Sequence, residues 1–259
     1  MIKVDCKKYA DEILDRVSQI KDKGGLVIVT AGDDPASQIY MKGKLKDAER
    51  CGIRASKIEV GRGGLKNAVN YGNTDPTIHG IIIQLPLPEY YDEKWATNLV
   101  DRDKDVDGFQ YGSLFKPCTP EGIMYILHKE LGDLTGKTAL VIGRGKLVGE
   151  PIAKMLLDAD CTVTVAHSKT KDLDELLWRY DIVVSAVGKR NLIDLNKCEA
   201  EIVIDAGGDC YNFDPDDEFD MKVAMAPGGI GLMTRAVLMA HVARMDIWEN
   251  FDRMSTIGD

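Results

Sequence analysis

The sequence lacks any apolar run near the roughly 18 residues that a membrane-spanning helix requires. Residues 1–9 place three lysines among single apolar residues, so they also lack the apolar core of a secretory signal. Positive charge is scarce too: 33 lysines and arginines against 42 acids leave a formal net charge of −9, which argues against partners with polyanionic backbones. We therefore expect a soluble, cytoplasmic protein that binds neither nucleic acid nor a membrane.

Patterns for disulfides and metals are missing as well. The six cysteines are scattered singly without a C-x-x-C pair, so we expect reduced thiols, and the four histidines show no zinc spacing. Four aspartates alternate between Asp101 and Asp107, but that segment has no glycine at the sixth position and no closing glutamate, which argues against a calcium loop. No metal site is expected.

What the sequence does have is an alternation of short apolar runs and helical patterns, in a chain of 259 residues that is 44% hydrophobic and long enough for two cores. In the first half the runs predict strands at Leu26–Thr30, Lys57–Val60 and Gly80–Gln84. Asp34 followed by Pro35 predicts the start of a helix after the first strand.

A second series of elements follows Pro117–Pro120, which we interpret as a domain junction. The predicted elements are strand Thr138–Ile142, helix Leu147–Leu157, strand Thr162–Ala166, helix Lys171–Arg179, strands Ile182–Ala186 and Glu201–Asp205, and a last helix Thr234–Trp248. Their alternation predicts an α/β fold with two domains, an N-terminal α/β substrate domain and a Rossmann-like parallel-sheet nucleotide domain with a cleft between them. We place the first domain at residues 1–119 and 234–259 and the second at 120–233.

The glycine-rich loop between the strand Thr138–Ile142 and the following helix is the candidate nucleotide site. Its spacing is G-x-G-x-x-x-G, one residue longer than the usual dinucleotide fingerprint. Glycines let the backbone approach a pyrophosphate at a helix N-terminus, although a bare strand-to-helix turn would look similar. The candidate residues in this loop are Gly143, Arg144, Gly145, Val148 and Gly149.

The end of the next strand favours NADP over NAD. An NAD site usually has an acid about 20 residues past the first glycine, whereas the strand here ends in Ala-His-Ser-Lys. Arg144, Ser168 and Lys169 would suit a 2′-phosphate, because guanidinium and ammonium groups bind phosphate well. The alternative is that these are solvated loop charges. The further cofactor-site candidates are His167, Ala186 and Gly188.

Tyr40 and Lys44 are four positions apart, so they share one face of the predicted helix. They can form a stacking platform with a proton-handling group, or the aromatic ring can simply cover a lysine stem. The spacing alone favours the second interpretation, because Lys42 and Lys46 make this helix look like a solvated face.

Two further polar residues have positions that suggest ligand binding. Gln84 closes an apolar strand just before Leu-Pro-Leu-Pro, at the carboxyl end of a sheet where α/β proteins bind ligands, and its amide can orient a lysine or a water. Asp107, followed by Gly108, can accept hydrogen bonds from the amino group and ring N–H of a heterocycle.

Taken together, these segments resemble the bifunctional methylenetetrahydrofolate dehydrogenase/methenyltetrahydrofolate cyclohydrolase family, often called FolD. The resemblance covers most of the chain, and so many ordered segments are highly specific. The segments that carry it are Gly32–Ser37 with Tyr40 and Lys44, Gln84–Pro88, Lys104–Phe109, Pro117–Gly122, Ile142–Arg144 with Val148–Pro151, and Pro227–Thr234.

The resemblance implies NADP-dependent oxidation of 5,10-methylenetetrahydrofolate to the methenyl form and its hydrolysis to 10-formyltetrahydrofolate. It implies that Lys44 serves the cyclohydrolase step and that Gln84 hydrogen-bonds and tunes it. It further implies that Tyr40 stacks along the folate and Asp107 holds the pterin. A homodimer formed through the nucleotide domain is also implied. The remaining substrate-site residues are Leu85, Pro86, Pro227, Gly228 and Gly229.

Three alternatives remain open at this point. The enzyme could retain only one of the two activities, or the chain could be a nucleotide-binding regulatory module without turnover. It could also be an unrelated amino-acid or shikimate-type dehydrogenase, which would show no activity with methylenetetrahydrofolate and NADP.

Overall fold

The computed structural model describes residues 1–216, 220–225, 229–249 and 251. The chain forms two compact units, which we name by their main sheets. The six-stranded unit comprises Met1–Tyr9 and Thr119–Thr234, and the three-stranded unit comprises Ala10–Cys118 and the chain from Arg235 onward.

The helices and strands are numbered in chain order. They are β1 (Ile2–Lys3), α1 (Cys6–Ser18), β2 (Gly25–Thr30), α2 (Pro35–Cys51), β3 (Arg54–Glu59), α3 (Leu65–Thr74), β4 (Ile78–Ile83), α4 (Glu93–Thr97), α5 (Cys118–Leu131), β5 (Thr138–Ile142), α6 (Gly149–Asp158), β6 (Thr162–Ala166), β7 (Ile182–Ser185), β8 (Ile193–Asp194), β9 (Ile202–Asp205), β10 (Cys210–Tyr211), β11 (Lys222–Ala224) and α7 (Ile230–Val242). Short 3-10 turns lie at Leu173–Glu175 and Leu195–Lys197.

The three-stranded unit is built on a parallel sheet in the order β3-β2-β4. Its central strand β2 is buried along its whole length, as its continuous apolar sequence requires. Val27 and Val29 lie in a buried cluster with side chains of α3 and β4. Because successive side chains of a strand point to opposite faces, Thr30 points to the other face of the sheet.

The ends of α2 follow directly from its sequence. The Asp34 carboxylate accepts a hydrogen bond from the Ser37 N–H at 2.7 Å, and Pro35 occupies the first turn, where its missing N–H costs nothing. The helix ends at Gly52, whose φ of 71° is the left-handed conformation that glycine adopts most easily. The predicted start of this helix is confirmed.

The six-stranded unit contains a parallel sheet in the order β1-β11-β9-β7-β5-β6. Strands β5 and β6 have the bounds that the sequence predicts, and α6 follows the glycine-rich loop. The two-domain α/β fold with a Rossmann-like parallel sheet is therefore confirmed. The carboxyl ends of β5, β6 and β7 lie side by side, which is where such sheets bind ligands.

Two assignments made from the sequence are wrong. The segment Lys171–Arg179 is not a helix, since it contains only the 3-10 turn Leu173–Glu175, preceded by Asp172 in a left-handed conformation. Its apolar side chains, which have helical spacing, still pack on the core of the sheet. Residues 1–9 belong to the six-stranded unit and not to the first domain, because β1 pairs with β11.

The last helix also differs from its prediction. It runs from Ile230 to Val242, whereas the sequence predicts Thr234–Trp248. The glycine-rich segment before it thus contributes to its first turn. Among the residues that the structure describes, no helix is both long enough and apolar enough to cross a membrane.

Candidate active site

Lys44 lies near the middle of α2 and is almost completely buried, with 4% of its surface exposed. Its Nζ lies 5.2 Å from the centroid of the Tyr40 ring, so the four-residue spacing does bring the two side chains together. Lys42 and Lys46 are exposed. The interpretation of α2 as a solvated lysine face is therefore wrong at Lys44, which is the one lysine of the three that is buried.

A buried ion pair that the sequence did not reveal lies next to Lys44 along α2. The Nε of Arg235 donates to Oδ2 of Asp47 at 2.7 Å, and both side chains are largely buried. A Cβ at Gly43 would lie 2.1 Å from Nη1 of Arg235, so the glycine makes room for the guanidinium. The only sequence signal was Asp47, three positions after Lys44 and hence on the same helix face.

Gln84 follows β4 at the carboxyl end of the sheet, and its N–H donates to the Val29 carbonyl at 2.9 Å. Its side-chain Nε2 donates to the Leu85 carbonyl at 2.8 Å, and the Ser37 hydroxyl donates to the same carbonyl at 3.1 Å. The peptide bond between Leu85 and Pro86 is cis. The Leu85 carbonyl therefore joins Gln84 to the start of α2.

The segment around Asp107 is held by its backbone. Asp107 is buried, with its carbonyl accepting from the Cys118 N–H at 3.3 Å. Gly108 has φ 71°, and a Cβ there would lie 2.4 Å from the Lys116 carbonyl oxygen, so only glycine fits. Burial raises the pKa of the neighbouring Asp105, and the charge of Asp107 raises it further.

Lys104, three residues before Asp107, has a structural role. Its Nζ donates 2.8 Å hydrogen bonds to the carbonyls of Gly72, Asn73 and Asp75 at the end of α3. All three ammonium protons are thus used on carbonyls that the helix leaves unpaired. The lysine fixes the loop that carries Asp107 to the end of α3.

The glycine-rich loop of the six-stranded unit has the shape of a phosphate cradle. A Cβ at Gly143, which has φ 110°, would lie 2.6 Å from the Ala186 carbonyl oxygen, and one at Gly149 would lie 2.4 Å from the Gly143 carbonyl oxygen. A Cβ at Gly145 would meet nothing within 4 Å, so this side of the loop is open. Arg144 is exposed and Val148 half-buried. The close packing at two glycines and the open space at the third fit a nucleotide pyrophosphate at the start of α6.

The turn after β6 lies next to this cradle, because the Gly143 N–H donates to the Ala166 carbonyl at 2.9 Å. Within the turn, the His167 N–H donates to the Thr170 hydroxyl at 2.9 Å, and the Lys169 N–H donates to Nδ1 of His167 at 3.1 Å. Ser168 and Lys169 are exposed. Ser168 and Lys169, which the sequence predicts to bind a 2′-phosphate, thus lie just after the strand that contacts the glycine-rich loop.

Asp209 is a second residue that sequence reasoning missed, and it supports the loop after β7. Its fully buried carboxylate accepts from the Ser185 hydroxyl at 2.5 Å, the Val187 N–H at 2.9 Å and the Lys189 N–H at 2.6 Å. These bonds hold the loop that contains Gly188. In the sequence, Asp209 only follows two glycines, and this pattern does not indicate that the aspartate is buried.

The neighbouring Asp205 is buried as well, and its carboxylate accepts from the N–H groups of Gly208, Asp209 and Cys210. Burial raises the pKa of Asp205 and the charge of Asp209 raises it further, while the three N–H bonds lower it. Two buried carboxylates therefore lie beside the loop after β7, which contains the candidate cofactor residues Ala186 and Gly188.

Two predicted substrate residues, Pro227 and Gly228, lie outside the described residues. Gly229 is described and buried, and a Cβ there would lie 2.3 Å from the Met225 carbonyl oxygen. In the described part of the chain, no group of three or more histidine, cysteine or acidic side chains could hold a metal ion.

Comparisons with known proteins cover both parts of the chain. The catalytic-domain model of tetrahydrofolate dehydrogenase/cyclohydrolase matches residues 4–107, and the NAD(P)-binding-domain model of the same family matches residues 117–249. "Bifunctional protein FolD 2" of Ectopseudomonas mendocina is 40% identical over 259 residues, covering 89% of this chain and 86% of that protein.

Two solved structures are also similar. The bifunctional FolD enzyme of Campylobacter jejuni has a TM-score of 0.84 and 32% identity, covering 94% of this chain and 98% of that chain. The Trypanosoma brucei FolD, complexed with NADP cofactor and inhibitor, has a TM-score of 0.79 and 28% identity, covering 97% and 96%. With matching models over both units and relatives of this identity over most of its length, the chain belongs to the tetrahydrofolate dehydrogenase/cyclohydrolase family.

Proposed function

We propose that the protein oxidises 5,10-methylenetetrahydrofolate to 5,10-methenyltetrahydrofolate with NADP and hydrolyses the product to 10-formyltetrahydrofolate. The observation that carries this function is the burial of Lys44 against Tyr40, in the unit where Gln84 closes the sheet. A lysine taken from solvent, next to an aromatic ring, suits proton transfer at a bound ligand better than it suits a surface charge.

In the hydrolytic step, water adds to the electrophilic methenyl carbon, one proton is released and the ring C–N bond opens to the formyl product. Lys44 Nζ takes one proton of the attacking water and passes it to the ring nitrogen as the C–N bond breaks, and the other proton of the water is the one released to solvent as the formyl C=O forms. We expect the Gln84 amide to orient Lys44 and the water. Tyr40 stacks along the folate, Asp107 accepts from the pterin N–H groups, and Leu85 and Pro86 line the substrate site. The family resemblance adds Pro227, Gly228 and Gly229 to the substrate-binding residues.

The oxidative step needs alignment more than proton transfer. NADP, when bound, supplies the acceptor for a hydride from the methylene bridge. We assign its pyrophosphate to Gly143, Gly145, Val148 and Gly149 and its 2′-phosphate to Arg144, His167, Ser168 and Lys169, with Ala186 and Gly188 beside them. The open face at Gly145 and the NADP-bound relative from T. brucei support this assignment.

A spectrophotometric assay tests the function directly. Purified protein with methylenetetrahydrofolate and NADP should produce NADPH, and protein with methenyltetrahydrofolate alone should consume that compound faster than buffer does. If NADPH forms but methenyltetrahydrofolate is not hydrolysed, the protein is a dehydrogenase without cyclohydrolase activity. No change in either assay would favour a regulatory module or a dehydrogenase for another substrate.

Arg144→Ala is expected to lower NADP affinity by about one to two orders of magnitude and to leave NAD almost unaffected, since a charge-assisted hydrogen bond is worth about 1.5–3 kcal/mol. The measurement is kcat/KM for both cofactors. Lys146→Ala is the matched control, because it removes an exposed positive charge from the same loop. A wild type that prefers NAD, or equal losses for both cofactors in Arg144→Ala, would contradict the assignment.

We also propose a cytoplasmic homodimer formed through the six-stranded unit, with no nucleic-acid or membrane partner. β6 is an edge strand whose Val165 is 41% exposed, and edge strands present unpaired backbone groups to a partner. Light scattering after size-exclusion chromatography should give a molar mass twice that of one chain. Val165→Lys should lower the measured mass to that of the monomer.

A further inference from the structure

A small cavity lies at the carboxyl end of the three-stranded sheet, where Thr30, Met41, Gln84 and Pro86 contribute to its lining. The volume that water-sized spheres can occupy in it is about 10 Å³. One water molecule needs roughly 10–15 Å³ on this measure. The cavity therefore has room for a single water.

Thr30 and Gln84, which both line the cavity, each have a buried oxygen without a hydrogen-bond partner, Thr30 Oγ1 and Gln84 Oε1. Thr30 is 6% exposed, so bulk water does not solvate its hydroxyl. Buried hydroxyl and amide oxygens in native proteins are nearly always hydrogen-bonded to protein or to an ordered water. We therefore expect a hydrogen-bonding partner for both atoms inside the cavity.

The register of the sheet explains why these two atoms share one cavity. Val29 of β2 pairs with Ile83 of β4, so Thr30 and Gln84 are the next residues on two adjacent strands. Side chains at equivalent positions of paired strands point to the same face. That face is also the one that carries Met41 of α2, since Met41 lines the same cavity.

The orientation of the Gln84 amide is fixed by the Leu85 carbonyl. This oxygen accepts from Gln84 Nε2 at 2.8 Å and from the Ser37 hydroxyl at 3.1 Å, which uses both of its lone pairs. A flipped amide would place two acceptors against each other. Gln84 Oε1 is therefore the atom that needs a donor, and it forms no direct hydrogen bond with the Thr30 hydroxyl.

We propose that one resident water bridges Thr30 Oγ1 and Gln84 Oε1, and that Thr30 is thereby a positioning residue for the Gln84 amide. The water donates one hydrogen to Gln84 Oε1 and exchanges a second hydrogen bond with the Thr30 hydroxyl. An amide oxygen has two lone pairs, so one remains for the Lys44 ammonium. The catalytic consequence rests on the proposed function, in which Gln84 orients Lys44.

The kinetic test compares two variants of Thr30. Thr30→Val keeps the shape and removes the hydroxyl, and it should lower the cyclohydrolase kcat about fivefold to tenfold with KM unchanged within about twofold, since one water-mediated hydrogen bond is lost. Thr30→Ser keeps the hydroxyl and should recover the wild-type kcat within about twofold. The melting temperature of each variant should stay within about 3 °C of wild type, which separates positioning from damage to the fold.

A crystal structure of the unliganded wild type gives an independent measurement. It should show an ordered water about 3 Å from both oxygen atoms, and Thr30→Val should lack it. A dry cavity in the wild type, a wild-type kcat in Thr30→Val, or an equal fall in the dehydrogenase kcat would each overturn the proposal. If the wild type hydrolyses no methenyltetrahydrofolate, the proposed function fails, while the crystal structure still decides whether the water is bound.

Discussion

Lys44→Met should reduce the cyclohydrolase activity to the uncatalysed background, a loss of roughly 10²–10⁴-fold for a proton-transferring group, and leave measurable dehydrogenase activity. Methionine fills the buried position without the amine, so the folate site should keep its shape. The two outcomes differ because hydride transfer requires alignment and hydrolysis requires a proton acceptor. Rates of NADPH formation and of methenyltetrahydrofolate loss measure them separately.

Lys46→Met is the matched control for this experiment. It makes the same substitution on the same helix at an exposed lysine, and both rates should stay within about twofold of wild type because exposed substitutions rarely change a distant site. If Lys44→Met hydrolyses methenyltetrahydrofolate at the wild-type rate, Lys44 has no catalytic role and its burial against Tyr40 is only packing.

Asp209→Ala is expected to destabilise the protein by roughly 2–5 kcal/mol, since one buried and two partly buried donors lose their partner and each lost partner costs about 1–3 kcal/mol. The donors are the Ser185 hydroxyl and the N–H groups of Val187 and Lys189. Urea unfolding should show a lower midpoint with an unchanged slope. NADP affinity should fall as well, because the loop with Gly188 loses its support.

Two further variants make this result specific. Glu199→Ala removes an exposed acid from the same unit and should change stability by less than about 0.5 kcal/mol. Asp209→Asn should recover only part of the lost stability, because its amide keeps one acceptor oxygen while its NH2 group would face a donor that the second carboxylate oxygen binds. A midpoint of Asp209→Ala equal to that of Glu199→Ala would show that the loop is held by other contacts.

The fold was predictable where local chemistry determines it. Asp34, Pro35 and Gly52 give the ends of α2 by capping alone, and the βαβ alternation gives the parallel sheet. The prediction of a helix at Lys171–Arg179 was wrong because apolar side chains with this spacing can pack on the core from a 3-10 turn as well as from an α-helix. Spacing reports which side chains are buried, not the backbone that buries them.

The sites were predictable to a different degree. The glycine-rich loop was identified from spacing, and its contacts explain the glycines. The roles of Lys44 and Gln84 came from the family resemblance, because a lysine among lysines gives no local sign of burial. That burial accompanies Asp47 and Arg235, which pair across a sequence separation that no periodicity can report. Asp209 was missed for the same reason.

The interleaved course of the chain has a consequence for how the protein is made and dissected. The chain passes between the two units three times, and β1 can pair only after β11 has been synthesised. During synthesis on the ribosome, β1 therefore stays unpaired until almost the whole polypeptide has been made. Closing so long a loop has an entropy cost, which is offset only when the sheet is complete. A cut between Cys118 and Thr119 would leave each fragment without part of both units, so neither unit is expected to fold as an isolated contiguous piece.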